Sequence, residues 1–280
     1  MFKKNKMIKE ILNEKKKKYL EEKAKNIRQE CLNMVMRAKS GHLAPALSCA
    51  DIISGLFFEV MRLNPGNPKD DSRDRFILSA GHKCLVLYTA LAELGFFPKE
   101  VLKTYCQLGS ILGGHPDGSK IPGVEVSTGS LGHGLSIGVG LALAAKYLKK
   151  NYRVFVLLGD GEIHEGSVWE AALSASHYKL DNMIAIIDYN GLCADGKVTD
   201  VMNIEPLKSK WESFGWSVIE IDGHNMDQIV SSLKSAPIFK SKPTIIIAKT
   251  IKGKGIPCME NKFDWHSKVP TEEQAVESNF

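Results

Sequence analysis

The stretch from Val154 to Gly191, VFVLLGDGEIHEGSVWEAALSASHYKLDNMIAIIDYNG, decides the fold. It opens on an apolar run, Val154–Leu158, too short for a helix and rich in β-branched and aromatic residues. Such a run predicts a buried parallel strand. Gly159-Asp160-Gly161 ends it, and glycines there let the backbone turn sharply and come close to a ligand. A helix is expected over Ser167–His177, with Val168, Ala171, Ala172 and Ala175 on one face. A second buried strand, Met183–Ile187, then runs into Asp188-Tyr189-Asn190-Gly191.

Two consecutive parallel strands bring their C-terminal ends to one edge of the sheet, where ligands of open α/β sheets bind. Asp160 and Asn190 can therefore face one small volume. A carboxylate and an amide oxygen are hard ligands suited to Mg²⁺, which keeps further positions for phosphates. Backbone N–H groups at the turn and the helix start can hold a diphosphate. A GDG turn alone would be read as a turn that binds nothing. GDG, a spacer of just under thirty residues and then Asn resembles the thiamine diphosphate motif. In that family the Asp, the Asn and a backbone carbonyl two residues later hold the metal. The resemblance thus implies thiamine diphosphate and Mg²⁺ as cofactors, with Asp160, Asn190 and Leu192 as metal ligands.

The chain has 280 residues, enough for a sizeable core in one large α/β domain or two small ones. Hydrophobic residues make up 44% and charged residues 25%, the balance of an ordinary soluble protein. The net charge of +5 comes largely from the N-terminal arm and does not by itself point to nucleic acid. Six widely spaced cysteines without a CxxC pair suggest a reducing compartment rather than a disulfide frame or zinc site. No signal-peptide core and no membrane-length apolar run are seen, so a cytoplasmic location is expected.

Residues 1–25 are lysine-rich, with Lys15–Lys18 consecutive and Ile8, Ile11, Leu12, Tyr19 and Leu20 at rough helical spacing. They read as a solvated helix or frayed arm, with a tether to an anionic partner as the alternative. Residues 26–280 read as one domain. Helices are expected over Ala24–Arg37, Ser48–Met61, Leu85–Leu94, Leu135–Leu148, Pro206–Phe214 and Met226–Leu233. Further strands are expected at Arg75–Leu78, Trp216–Ile221 and Thr244–Ala248. The alternation argues for an α/β fold with a mostly parallel sheet flanked by helices on both faces. Residues 109–134 are glycine-rich and imply a loop that wraps something closely. The tail, 251–280, has little periodicity.

Of eight histidines, His42, His82 and His115 follow glycine in separate loops. His266 lies in a C-terminal loop and His133 in the turn Gly129–Gly134; His164, His177 and His224 read as structural. Histidine suits proton exchange near neutral pH. The order SGH, SRDRF, GH, GGHP, TGSLGHG, GDG, N, IDGH and WH is similar to the N-terminal half of transketolase, from about Ala24 to His266. The resemblance implies that His42, His115 and His266 line the substrate channel and bind sugar hydroxyls. It places His82, Gly159 and Gly161 near the diphosphate, and Gly129, Leu131 and His133 against the cofactor. Glu165 and Glu170 would join a carboxylate network at a subunit interface, with Glu165 also near cofactor and catalysis.

The sequence departs from the family at His42-Leu43-Ala44-Pro45, at Lys83 and at His133, where Gln is common. Lys83 either stands near an anionic sugar or points to solvent. The family's aminopyrimidine-activating glutamate lies on a following domain that is not found in this sequence. The resemblance therefore implies the N-terminal subunit of a split transketolase. Its separate C-terminal, pyrimidine-binding subunit would complete the site, with two copies of each chain (α2β2). The reaction would move a two-carbon ketol unit from a ketose phosphate, or another anionic ketose such as a sulfonate, to an aldose. Two alternatives stand beside it: the α subunit of a thiamine-dependent 2-oxo acid dehydrogenase, and a non-catalytic scaffold.

Overall fold

The computed structural model describes residues 12–280. The lysine-rich segment before Leu12 lies outside the described residues. Asn13 caps the first helix, α1 (Glu14–Ala38), its side chain accepting from the Lys16 N–H at 2.9 Å. Leu20, Ala24, Ile27, Cys31, Met34 and Val35 form its buried stripe at helical spacing. The boundary drawn after residue 25 falls inside this helix. Residues 14–25 are no frayed arm: Lys16 pairs with Glu59 at 2.7 Å and Lys17 with Asp227 at 2.9 Å.

The helix expected over Ser48–Met61 is α3 (Ala50–Gly55) continued by a π-helical turn, Leu56–Val60, and a separate helix, α2 (Leu43–Ser48), precedes it. Cys49, at φ −98° and ψ 7°, breaks the run. The apolar residues continue through the break because all three pieces are buried. This hid the break from periodicity. The strand β1 (Arg75–Leu78) and helix α4 (Cys84–Leu94) follow, and Gly95 ends α4 in the left-handed region at φ 88°.

After the glycine-rich loop come α5 (His133–Tyr147), β2 (Val154–Gly159), α6 (Gly166–His177) and β3 (Met183–Tyr189). Then come α7 (Val198–Val201), α8 (Leu207–Ser213), β4 (Ser217–Asp222), α9 (Met226–Ser235) and β5 (Thr244–Lys249). The tail contains one further short helix, α10 (Glu272–Val276), opened by a Thr271–Gln274 capping box.

All strand pairs in the sheet are parallel, in the order β1-β2-β3-β5-β4. Alternate residues serve opposite faces. Phe155, Leu157, Ile184, Ile186 and Ile246 pack with α1–α4 and α9. Val154, Val156, Leu158, Met183, Ala185 and Ile245 pack with α5, α6 and α8. Burial on both faces explains why these strands read as unbroken apolar runs. Gly138 lets α5 sit close on the sheet, since a Cβ there would lie 2.7 Å from Val156 Cγ2. Register pairs Gly159 with Asp188, so β2 and β3 end together. Among the described residues no helix is long and apolar enough to cross a membrane.

A buried charge cluster fastens α1 to the sheet. Arg28 donates from Nη2 and Nη1 to the two carboxylate oxygens of Asp51, the latter at 3.2 Å. His224 Nδ1 lies 2.7 Å from Asp51 Oδ2. The Ile251 N–H donates to His224 Nε2 at 2.9 Å, which makes Nδ1 the donor to Asp51. Burial would raise the Asp51 carboxyl, but His224 and Arg28 more than offset it and hold it below the usual range. Arg28→Met, which strands that carboxylate, is expected to cost about 3 kcal/mol or more in urea unfolding. Arg28→Met with Asp51→Leu should recover most of it. An unchanged midpoint in the single variant would contradict the cluster's role.

Candidate active site

The carboxyl ends of β1, β2 and β3 open into a cavity of about 390 Å³. Its floor is the turn after β2. Asp160 is 2% exposed, and its two oxygens accept the N–H groups of Gly161, at 2.9 Å, and of Gly191. The last bond joins the GDG turn to the end of β3, beside Asn190. Asn190 Oδ1 accepts from the Leu192 N–H at 3.2 Å. Asp160, Asn190 and Leu192 all line the cavity, as do Gly159, Gly161, Gly129 and Leu131. Burial pushes the Asp160 carboxyl up to about 6.

Four histidines from four loops meet above this floor. The ring of His42 lies 5.2 Å from His82, 6.3 Å from His115 and 5.4 Å from His266. His82 and His266 are 5.2 Å apart. Burial and the neighbouring Lys83 push His82 down to about 2; burial and Lys252 push His266 down to about 3. Burial and His115 lower His42 as well. A neutral imidazole offers one donor and one acceptor, the pairing a sugar hydroxyl needs.

Not every expected residue reaches the cavity. His133 begins α5 exposed to solvent and does not line it. Glu165, expected near the cofactor, does not line it either; it is the extended residue that precedes α6, and both it and Glu170, expected at a subunit interface, are exposed. The buried carboxylate here is Glu162, 2% exposed. Its Oε1 accepts from Ser79 Oγ and from the Gly132 N–H at 2.9 Å, and its Oε2 from the Gly159 N–H at 3.0 Å. It thereby ties β1, β2 and the glycine loop together. Gly132 itself needs to be glycine: it has φ 82°, and a Cβ would lie 2.6 Å from Glu165 Cβ.

Lys83 neither reaches toward a sugar from the rim nor points to solvent. It is 2% exposed and pairs with Asp188 at 2.5 Å. Burial alone would lower its ammonium, but Asp188 more than offsets this and holds it above the ordinary lysine value. Lys252, from the aperiodic tail, is fully buried. It donates to the carbonyls of Leu192, at 3.2 Å, and Cys193, at 2.8 Å, and lies 3.0 Å from His266 Nδ1. At the departure after His42, Leu43 and Ala44 are core residues and Pro45 lines the cavity. Of the histidines read as structural, His224 serves Asp51 as above, while His164 lines the cavity with Nε2 2.8 Å from the Met202 carbonyl.

The donor set fits a cation that also binds phosphate. Among the described residues no three His, Cys, Asp or Glu side chains converge to hold a metal by themselves. Asp160, Asn190 and the Leu192 carbonyl instead offer three hard oxygens and leave positions for phosphate oxygens. Thr128 Oγ1, next to cavity-lining Gly129, is buried without a partner among the described residues.

Fold and site together are those of a cofactor-binding α/β domain with a diphosphate edge. A family model described as the transketolase thiamine diphosphate binding domain matches residues 20–278. The chain belongs to the transketolase family, as its thiamine diphosphate-binding domain. It is 45% identical over 259 residues to an apulose-4-phosphate transketolase subunit of Phocaeicola vulgatus, covering 92% of each chain. It is 41% identical to the 6-deoxy-6-sulfo-D-fructose transketolase subunit SqwG of Clostridium sp., covering 91% of this chain and 92% of that one. The solved transketolase of Campylobacter jejuni superposes with a TM-score of 0.87 at 36% identity. That match covers 92% of this chain but 41% of the longer one.

The histidine environment sets a pH signature. His82 and His266 should keep neutral ring resonances from pH 8 down to pH 5 in the cofactor-free protein. Their folded values lie below the unfolded value of about 6.5. The stability they contribute is therefore full above that value and declines as pH falls toward the folded values. An NMR titration midpoint above pH 5 for either ring would contradict the packing described.

Proposed function

We propose that this chain is the N-terminal subunit of a split transketolase that works with thiamine diphosphate and Mg²⁺. The observation that carries the reading is the cluster of four histidines facing the Asp160–Asn190 edge across one cavity. Asp160, Asn190 and the Leu192 carbonyl would hold the metal, and His82 would meet the diphosphate; the N–H groups of Gly159 and Gly161, expected as diphosphate donors, are taken by Glu162 and Asp160. Glu162 fixes the turn and the glycine loop. The cofactor supplies an electron sink for cleavage of the ketose C2–C3 bond. His42, His115 and His266 would bind the hydroxyls of donor and acceptor and pass protons at those oxygens. A 2-oxo acid has no such row of hydroxyls, so the cluster favours a ketose over a 2-oxo acid.

Two relatives covered over nine-tenths of their length are named as transketolase subunits, one for a phosphorylated and one for a sulfonated substrate. That supports a separate partner chain and an anionic ketose donor; on this reading the partner is the pyrimidine-binding subunit and the assembly is α2β2. Glu165 and Glu170, both exposed, and His133 would meet the partner or the cofactor on assembly. The six unpaired cysteines fit a cytoplasmic setting.

The test is the complex purified with its accompanying chain and supplied with thiamine diphosphate and Mg²⁺. It should transfer a two-carbon unit from an anionic ketose to an aldose and release no carbon dioxide from 2-oxo acids. The reverse pattern would overturn the reading. Within it, His115→Ala should raise the donor KM about tenfold, the loss of roughly one hydrogen bond, with cofactor affinity unchanged.

A further inference from the structure

Lys83 is a cation inside the protein with an incomplete set of partners. Among the described residues its hydrogen bond is to Asp188 Oδ2, at 2.5 Å. An ammonium has three donors, so two are left over. Asp188, by contrast, is well supplied. Ser48 Oγ reaches its Oδ2 at 2.5 Å, Thr250 Oγ1 donates to its Oδ1, and Asn190 Nδ2 lies 3.5 Å from its Oδ2. The carboxylate has donors besides Lys83, whereas the lysine has donors without acceptors.

The position of those donors is informative. Lys83 lines the cavity alongside Gly159, Asp160 and Gly161. A Cβ built on Gly159 would come within 3.6 Å of Nζ, so the ammonium lies against the last residue of β2, just before the turn. Next to it stands His82, on the same tight turn. A buried ammonium is strongly desolvated, and an oxyanion brought within reach gains more from it than from a hydrated surface lysine.

We propose that Lys83 is a diphosphate ligand: a fixed cation that binds the diphosphate group of the cofactor beside the metal and sustains part of that binding when divalent metal is absent. The inference rests on the cofactor site proposed above. It adds a charge that the metal ligands do not supply, on a side chain that does not touch them directly. Asp188 is then the positioning residue, holding Nζ at the cavity floor with two donors to spare.

The probe is inorganic pyrophosphate, titrated calorimetrically into the full chain in EDTA and again in Mg²⁺. Pyrophosphate tests the diphosphate edge without the pyrimidine half of the cofactor. The wild type should bind in both conditions, more tightly with Mg²⁺. Lys83→Met should weaken binding at least tenfold in EDTA and about threefold or less in Mg²⁺. The double variant Lys83→Met with Asp188→Asn removes both buried charges, leaves the net charge unchanged and strands no carboxylate. It should stay as weak as the single variant in EDTA. Recovery of wild-type affinity in the double variant would overturn the proposal, because Lys83 would then serve only as a counter-ion to Asp188. Equal binding by wild type and both variants would overturn it too, while leaving the site itself intact. A wild-type chain that binds pyrophosphate in neither condition would instead refute the diphosphate site.

Discussion

A parallel sheet buried on both faces can offer a ligand only its ends. Here helices cover both faces, and the interior strands are apolar along almost their whole length. Polar chemistry is pressed to the carboxyl edge, where β2 and β3 stop side by side at Gly159 and Asp188. The same constraint explains the turn: a tight glycine turn carries the chain off the strand, its N–H groups answered by the carboxylates of Glu162 and Asp160. The residues of the proposed site are attached at that edge or hang over it from loops.

The edge holds several buried charges. Asp160, Glu162 and Asp188 are each 2% exposed or less, and so are Lys83 and Lys252. Buried charges of one sign alone would neutralise or unfold the site. They coexist because each carboxylate is answered: Glu162 by three donors, Asp188 by Lys83 and two hydroxyls, Asp160 by two backbone N–H groups. Among the described residues no cation lies within hydrogen-bonding distance of Asp160, and burial pushes its carboxyl up to about 6. A divalent ion placed there would complete the set.

Much of this was legible in the sequence because it depends on local pattern. The apolar runs of β1, β2 and β3, the turn at Asp160 and the end of β3 at Asn190 are encoded in adjacent residues. The histidines could be singled out by their glycine loops, but their convergence within 6.3 Å depends on loops some two hundred residues apart, His42 and His266 among them. The resemblance to a known family supplied that step. What stayed hidden was burial of charge. Glu162, Lys83 and Lys252 were not read as buried charges. For Glu162 a signal existed: it follows the GDG turn and precedes buried Ile163, where a solvated carboxylate fits poorly. For Lys252, in a run of lysines and glycines, no local signal existed.

The central claim is that this edge holds a thiamine diphosphate and a divalent ion and is completed by a second chain. Native mass spectrometry of the protein taken gently from its own cells tests it most directly. The account predicts a complex with two copies of this chain and two of a partner, retaining thiamine diphosphate and Mg²⁺. A chain found alone, without cofactor at saturating supply, would contradict it.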